Sequence, residues 1–501
     1  MKYHNNCFGK PWGGLELYEI NNDINNDTKQ MLSQKITCNS SKTKRNVAYK
    51  NAFSIIKIRS LRLNNKVISM RILNARIEGF RNIENDSLKF GTGITSLVSV
   101  NSYGKSNLMN AIQFAVDFIK EDPDMKHRMM SAVYGMPLNK KLDSKNYIAD
   151  LTFQMKINER TYVTNYGFSF VWIKNNGKGV SGCKIVKEWL TARIDEKYQK
   201  PNKLIWRDEK KSLYKSSESG RCSNVIKVEE NELIINKLLA YEDLFYRPII
   251  ENLNNVKIYV ERDFDAAPLY VKTPIIPKGS DKFDFSSIND VPRIVYKLKT
   301  GYPDQYEILM DTFMQLFPNI FSIDVKEVDL GELHGMELPV NAPYIISNKV
   351  YSMFVQDKNL NQPLNFESLS DGAKRVFLML TYTILAKING YHLIAFEEPE
   401  NSIHPSLLQS YLSVLSQLAG DCRIIVASHS PYIVQYVSTK DIYIGKPNTD
   451  GIADFAKVDE KKVNTLLSDA ANNSDSVGNY IFDLLSGGED DTEILLSYLE
   501  N

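Results

Sequence analysis

Ile94–Asn107 reads ITSLVSVNSYGKSN. Its first half is an apolar run of strand length, and its second half is a polar turn containing one glycine. The next stretch, SNLMNAIQFAVDFIKE, carries Leu108, Ile112, Ala115, Phe118 and Ile119 at helical spacing. A strand, a turn and a helix in that order aim backbone N–H groups and a helix N-terminus at a phosphate. On this reading Ser99, Asn101, Gly104 and Asn107 shape the loop. Lys105 reaches the β- and γ-phosphates, and the Ser106 hydroxyl ligates Mg²⁺. The pattern GxxxxGK[ST] is broken at its first position, where Ser99 stands for glycine. A plain polar turn ahead of a helix is the structural alternative.

Three later segments carry chemistry. HLIAFEEPENSIHP (His392–Pro405) is an apolar strand ending in Glu397 and Glu398. Acids at the carboxyl end of a parallel strand stand where α/β ligands bind. Glu397 would hold Mg²⁺, and Glu398 would orient or deprotonate an attacking water. A solvated strand end is the alternative for one glutamate, and less so for two followed by Pro-Glu-Asn. RIIVASHSP places His429 just beyond the next buried strand, in reach of a γ-phosphate. SLSDGAKRVFLML (Ser368–Leu380) is a turn at a helix start, where Ser370 and Gly372 can offer a hydroxyl and N–H groups to an anion. An ordinary helix cap by Ser370 or Asp371 fits that segment equally well.

Taken in order, these four segments resemble the ABC-type ATPases of the RecF/SMC/OLD branch. The likeness is to the compact AAA-like ATPases of bacterial defence loci, similar to the PtuA and OLD-type heads. In that resemblance SVNSYGKS is the Walker A loop, LSDGA the signature, LIAFEEPE the Walker B strand and His429 the switch histidine. IEGFRNI (Ile77–Ile83) matches the opening strand, with Arg81 near the nucleotide, and Asn401–His404 matches the D-loop. The resemblance implies an α/β ATPase head, with a P-loop and a mixed sheet flanked by helices. It also implies ATP and Mg²⁺ as cofactors. A head-to-tail homodimer or higher oligomer follows, in which Ser370 of one subunit meets the nucleotide on Lys105 of the other. Ser99 for glycine and Glu397 for the usual aspartate are departures from the pattern.

The rest of the chain bounds these expectations. It has 501 residues, a net charge of +1 and five scattered cysteines without a CxxC pair. Neither a zinc site nor a disulfide framework is expected, and a reducing, cytoplasmic setting follows. No apolar run approaches the roughly 20 residues of a membrane span. Residues 1–69 are rich in Asn, Lys, Ser and Thr and are expected to be poorly ordered, so that translation starts at either Met1 or Met70. The expected division continues with an N-terminal ATPase lobe over 70–180, a partly helical insertion over 181–345, a C-terminal lobe over 346–450 and a short helical segment over 451–501. Repeated prolines in the insertion exclude a long coiled coil. Between Lys184 and Lys227 stand twelve Lys/Arg against six Asp/Glu, interleaved with Trp189, Tyr198, Trp206 and Tyr214. Such a pattern suits nucleic acid, and equally a solvated hairpin face. Two functions compete. One is a regulatory ATPase of anti-phage defence that controls a separate nuclease or toxin. The other is a RecF-like, DNA-binding repair ATPase. An ATPase with its own nuclease domain is disfavoured by the 72 residues left after His429.

Overall fold

The computed structural model describes residues 70–500, apart from 176–179, 182–183, 263–267, 271–273, 279–282, 284, 286–289, 332–338 and 340. The stretch expected to be poorly ordered, 1–69, lies outside these residues.

Alternating polar and apolar residues build an antiparallel sheet first. Its strands are β1 (Met70–Phe80), β2 (Ile83–Lys89), β4 (Tyr147–Ile157) and β5 (Arg160–Val171), with β3 (Ile94–Val98) placed elsewhere. The expected hairpin of β4 and β5 is present, from Tyr147 opposite Phe170 to Ile157 opposite Arg160. A small pair, β6 (Lys174–Asn175) and β7 (Val180–Ser181), follows. The sheet then continues through β8 (Lys184–Ile194), β9 (Asn202–Arg207), β10 (Ser212–Tyr214) and β11 (Asn224–Val225), in the order β11-β10-β9-β8-β5-β4-β1-β2. Helix α1 (Lys105–Lys120) packs on its inner face, where Phe114 and Phe118 meet Tyr147, Phe168 and Phe170. The Tyr147 hydroxyl donates to the Ala111 carbonyl at 2.9 Å, which satisfies the one polar atom in that aromatic layer. Met109, Ala111, Phe114 and Val116 are buried besides the five positions of the expected stripe.

The second sheet carries the chemistry. After α2 (Pro123–Met130), α3 (Ile234–Leu238) and α4 (Arg247–Asn254) come β12 (Ile258–Glu261) and the small pair β13 (Ile275–Pro277) and β15 (Tyr344–Ile346). Between the members of that pair run α5 (Val291–Gly301), α6 (Pro303–Leu316) and β14 (Ile320–Asp329). Then follow β16 (Lys349–Asp357), β17 (Leu364–Asn365), α7 (Asp371–Asn389), β18 (Leu393–Glu397), α8 (Pro405–Ala419), β19 (Arg423–Ser428), α9 (Pro431–Tyr436), β20 (Ile442–Gly445) and β21 (Phe455–Lys457). The six-stranded order is β12-β18-β19-β3-β20-β21, parallel except for the last pair. The P-loop strand β3 therefore lies beside β19, and β19 beside the carboxylate strand β18. All three strands are buried along their length apart from Glu397 at the end of β18, as parallel strands covered on both faces are.

Strand pairing does not follow the expected divisions at 180/181 and 345/346. β8 extends the sheet of β5, β12 enters the sheet of β18, and β14 pairs with β16. Prolines and composition mark where the pattern changes locally, but sheet membership is set by contacts far apart in sequence. The C-terminal segment forms α10 (Val463–Asn472), α11 (Val477–Ser486) and α12 (Glu489–Tyr498). Helix α11 sits so close to α9 that a Cβ on Gly478 would lie 2.0 Å from the Pro431 carbonyl oxygen. Its apolar residues Ile481, Leu484 and Leu485 are buried against the head. The acidic run Gly487–Glu493 opens α12, with Asp490 and Asp491 in its first turn, where carboxylates suit the helix dipole.

Candidate functional site

The P-loop is strained and held from outside. Ser102 has φ 59° and Gly104 φ 129°, so the chain turns sharply just before α1. A Cβ on Gly104 would sit 2.9 Å from the Ala453 Cβ and 3.0 Å from the Asn82 side chain. Tyr103 anchors the turn: its ring packs edge-on against Phe455, and its hydroxyl donates to the Lys446 carbonyl at 2.5 Å. Asn82 Nδ2 donates to the Tyr103 carbonyl at 2.9 Å. No side chain caps α1, so the N–H groups of its first turn are open to an anion.

Nine of the expected residues meet here. A cleft of ≈ 170 Å³ is lined by residues 101–107 together with Glu397, Glu398, Ala427 and His429, which brings in Asn101, Gly104, Lys105, Ser106, Asn107, Glu397, Glu398 and His429. Ser99 lies beneath it. Lys105 Nζ donates to the Ser99 carbonyl at 3.0 Å, the Ser99 hydroxyl at 3.3 Å and the Val100 carbonyl at 3.2 Å. The departure at Ser99 thus supplies an extra acceptor for the lysine. Burial lowers the Lys105 pKa, opposed by the negative field of Glu398, Glu397 and Glu400. Arg81, with φ 50°, donates to Asn107 Oδ1 at 2.6 Å and to the Tyr134 carbonyl. It borders the loop through Asn107 rather than lining the cleft.

Across the cleft, β18 ends in the two acids. Glu397 is half-buried, and burial raises its pKa. The Ser106 hydroxyl, Arg262 and Lys105 pull the other way. A hydroxyl and a carboxylate already paired form the donor set a hard divalent cation prefers, so Ser106 and Glu397 fit Mg²⁺. Glu398 has φ 48°, a conformation rare outside glycine, and its N–H donates to the Ala427 carbonyl at 2.8 Å. Its carboxylate is aimed by two neighbours: Oε1 lies 3.2 Å from His429 Nε2, and Oε2 accepts from Asn401 Nδ2 at 2.6 Å. The other imidazole nitrogen, Nδ1, is buried without a hydrogen-bond partner.

The signature turn is separate. Ser370 is the N-cap of α7 and accepts from the Ala373 N–H at 3.3 Å, as the simple cap reading expects. Gly372 packs against the D-loop, where a Cβ would lie 2.1 Å from the Ser402 carbonyl oxygen. Neither residue lines the cleft.

Arg262 and Ser428 escaped the sequence reading, and Glu400 stood there only as a fallback for the catalytic carboxylate. Arg262 follows β12, the strand beside β18, and its charge reaches Glu397. Four residues of strand give too short a pattern to find it. Glu400 accepts a hydrogen bond from Ser428 Oγ. Burial pushes the Glu400 carboxyl up to about 7 against that bond. Both residues stood inside recognised segments but carried no spacing signal of their own.

Comparison with known proteins agrees with this geometry. Residues 194–435 match the family described as AAA domain, putative AbiEii toxin, type IV TA system. That span includes the signature, the carboxylate strand and His429. Over 194 residues the chain is 25% identical to a DNA double-strand break repair Rad50 ATPase of Methanococcus maripaludis, covering 38% of this chain and 17% of that protein. The chain thus spans about a sixth of that relative's length. Among solved structures, an Smc head bound to the C-terminal winged-helix domain of ScpA has 13% identity, a TM-score of 0.41 and coverage of 79% and 99% of the two chains. The Smc head of Thermotoga maritima has 12% identity, a TM-score of 0.34 and coverage of 78% and 99%. The recombination mediator RecF has 10% identity, a TM-score of 0.35 and coverage of 77% and 98%. These superpositions are loose. The family match, the Rad50 relative and the four motifs in order support an ABC-type ATPase of the RecF, SMC and Rad50 branch.

Proposed function

We propose that the chain is an ATP- and Mg²⁺-dependent hydrolase that works as a dimerisation switch. Lys105 and the open N–H groups of α1 would bind the β- and γ-phosphates, with Asn101, Gly104 and Asn107 shaping the loop. Ser106 and Glu397 would hold Mg²⁺, which when bound neutralises phosphate charge. Glu398 would take the proton of the attacking water, and His429 would orient Glu398 and contact the γ-phosphate. The observation that carries this reading is a single cleft joining an uncapped helix start, a buried lysine and two strand-end carboxylates. Ser370 and Gly372 lie outside it, so they would serve a nucleotide on a second copy, and ATP would hold two heads together until hydrolysis releases them. Mass measurement with ATP and Mg²⁺ tests this. A dimer that forms with ATP and is lost in Lys105→Ala is expected. A mass unchanged by ATP in both the wild type and Glu398→Gln would overturn the switch.

The biological setting we infer is bacterial anti-phage defence, with the head controlling a separate nuclease or toxin. The matched family's description, which names a toxin of a type IV toxin–antitoxin system, supports it. Protection against phage should then require Lys105, Glu398 and a partner gene together. Protection by this chain alone would refute the division of labour. A RecF-like DNA-repair role is the second reading, favoured by the Rad50 relative. It expects DNA-damage sensitivity on deletion and no effect on phage.

A further inference from the structure

Glu400 lies behind the cleft and touches none of the groups assigned to nucleotide or metal. It is 9% exposed. One carboxylate oxygen accepts from Ser428 Oγ, and the other, Oε2, has no hydrogen-bond partner. Ser428 is fully buried, and its hydroxyl oxygen accepts in turn from the Ser430 N–H at 2.9 Å. These two serines flank His429. The histidine ring is held on one side by Glu398, at 3.2 Å, and its Nδ1 has no partner. The orientation of the ring therefore depends on the turn Ser428–Ser430, and that turn is tied through Ser428 to Glu400, the residue just before Asn401–His404.

A buried carboxylate is a costly way to accept one hydroxyl hydrogen bond. A carboxylate makes the bond stronger and shorter, and its charge lies within reach of Lys105 and Glu398. We infer that Glu400 and Ser428 form a positioning pair, which fixes the turn carrying His429 and so sets the His429–Glu398 contact for water attack. Glu400 directly precedes Asn401–His404, where Gly372 packs against the Ser402 carbonyl, so the pair links that segment to His429. A displacement of the signature helix would be passed to His429 through this bond. The inference rests on the hydrolysis reading above.

The test uses the full chain with ATP and Mg²⁺, measuring kcat and ATP affinity separately. Glu400→Ala is expected to lower kcat roughly ten- to a hundredfold, because misplaced catalytic groups cost that much, while the Kd for ATP stays within about twofold. Glu400→Gln keeps an acceptor oxygen for Ser428 and should recover much of the lost rate. Ser428→Ala should match Glu400→Ala, and the double variant should be no slower than the slower single one, since both act through one bond. Additive losses, a parallel loss of ATP affinity, or a wild-type kcat in Glu400→Ala would overturn the pair. If Glu400→Ala does not fold, Ser428→Ala and Glu400→Gln decide: a slow serine variant beside an active glutamine variant supports the pair, and the reverse overturns it. Glu398→Gln run alongside separates the two readings. If it too hydrolyses at the wild-type rate, the hydrolysis assignment falls. If it is inactive while Glu400→Ala is normal, only the positioning pair falls.

Discussion

The cleft around Lys105 and the solvent side of strands β8–β10 look alike on paper, since both gather lysines, arginines and polar groups. The folded chain treats them oppositely. At the cleft and its borders, Arg81, Ser102, Glu398 and Ser402 take positive φ, four of the eight such non-glycine residues described. Glu400 and His429 keep a buried polar atom without a partner, and Lys105 is buried among acids. On the sheet face, Trp189 lies over Gly167 and donates to Asn165 Oδ1 at 3.0 Å. Lys203 Nζ sits 4.0 Å from the centre of the Trp206 ring, and Tyr214 meets Tyr241 edge-on. Arg207 is buried and donates to the Glu232 and Glu229 carbonyls at 2.6 and 3.0 Å. The cleft gathers strain and open valences, whereas the sheet face has one positive φ, at Tyr198 between β8 and β9, and its other aromatics and Arg207 are engaged by the protein. Local rules are broken where a ligand completes the structure, so composition alone is a poor guide to which basic region is functional.

The sharpest way to break this contrast is to remove the proton acceptor. Glu398→Gln keeps the shape and the Asn401 contact but cannot take a proton, so kcat should fall by roughly 10²–10⁴ while ATP still binds and dimers accumulate. Wild-type hydrolysis in this variant would move the catalytic role elsewhere. Lys105→Ala comes next. Losing charge-assisted bonds to the phosphates should weaken ATP binding by about 3 kcal/mol, roughly a hundredfold. An unchanged titration would sink the P-loop assignment.

A smaller effect lies in the brace behind the loop. Asp86 on β2 accepts from the Phe455 N–H at 2.9 Å and leaves Oδ2 unpartnered. Burial pushes its carboxyl from the usual 3.8 up to about 7, against the Phe455 bond. Because the folded value lies above the unfolded one, this stabilisation is full below pH 4 and is lost as pH rises through 7. The cost is on the order of 4 kcal/mol. Asp86→Asn keeps an acceptor without titrating, so its denaturation midpoint should fall less than that of the wild type between pH 5 and pH 8. An identical fall in both would assign the loss to other groups.

Much of the cleft was legible because its residues sit in contiguous motifs. Gly104, Lys105 and Ser106 are neighbours in sequence, as are Glu397 and Glu398, and strand-turn-helix order is a local property. Helix α1 was equally readable from its apolar stripe, and the start of α7 from the turn at Ser368–Gly372. What was hidden is non-local. The pairing of β8 with β5 and of β12 with β18 depends on registers that no local period encodes. Arg262 reaches Glu397 only because β12 lies beside β18, and Glu400 meets Ser428 across 28 residues of chain. Arg207, one of the twelve basic residues between Lys184 and Lys227, is likewise held by distant partners, the Glu229 and Glu232 carbonyls in the loop before α3.

The weakest expected effect falls on the sheet face itself, and it decides whether the contrast holds. Lys197, Lys203, Lys210 and Lys211 are exposed, and Arg207 is left intact because its side chain is structural. Replacing all four lysines by alanine should change stability by no more than about 0.5 kcal/mol each. If this face contacts nucleic acid, each lost phosphate contact should lower the slope of log K against log salt by about 0.9 for duplex DNA. The fall for four contacts would then approach 3 to 4. We expect no such fall, because three of the four interleaved aromatics are engaged by the protein and only Tyr198, 98% exposed, stands away from it. Any DNA affinity of the head should therefore survive the fourfold variant with its salt dependence intact. A slope that drops in proportion to the lysines removed would show that saturated polar groups do not mark a silent surface. It would also move the weight of the functional reading from defence toward a DNA-binding, RecF-like head.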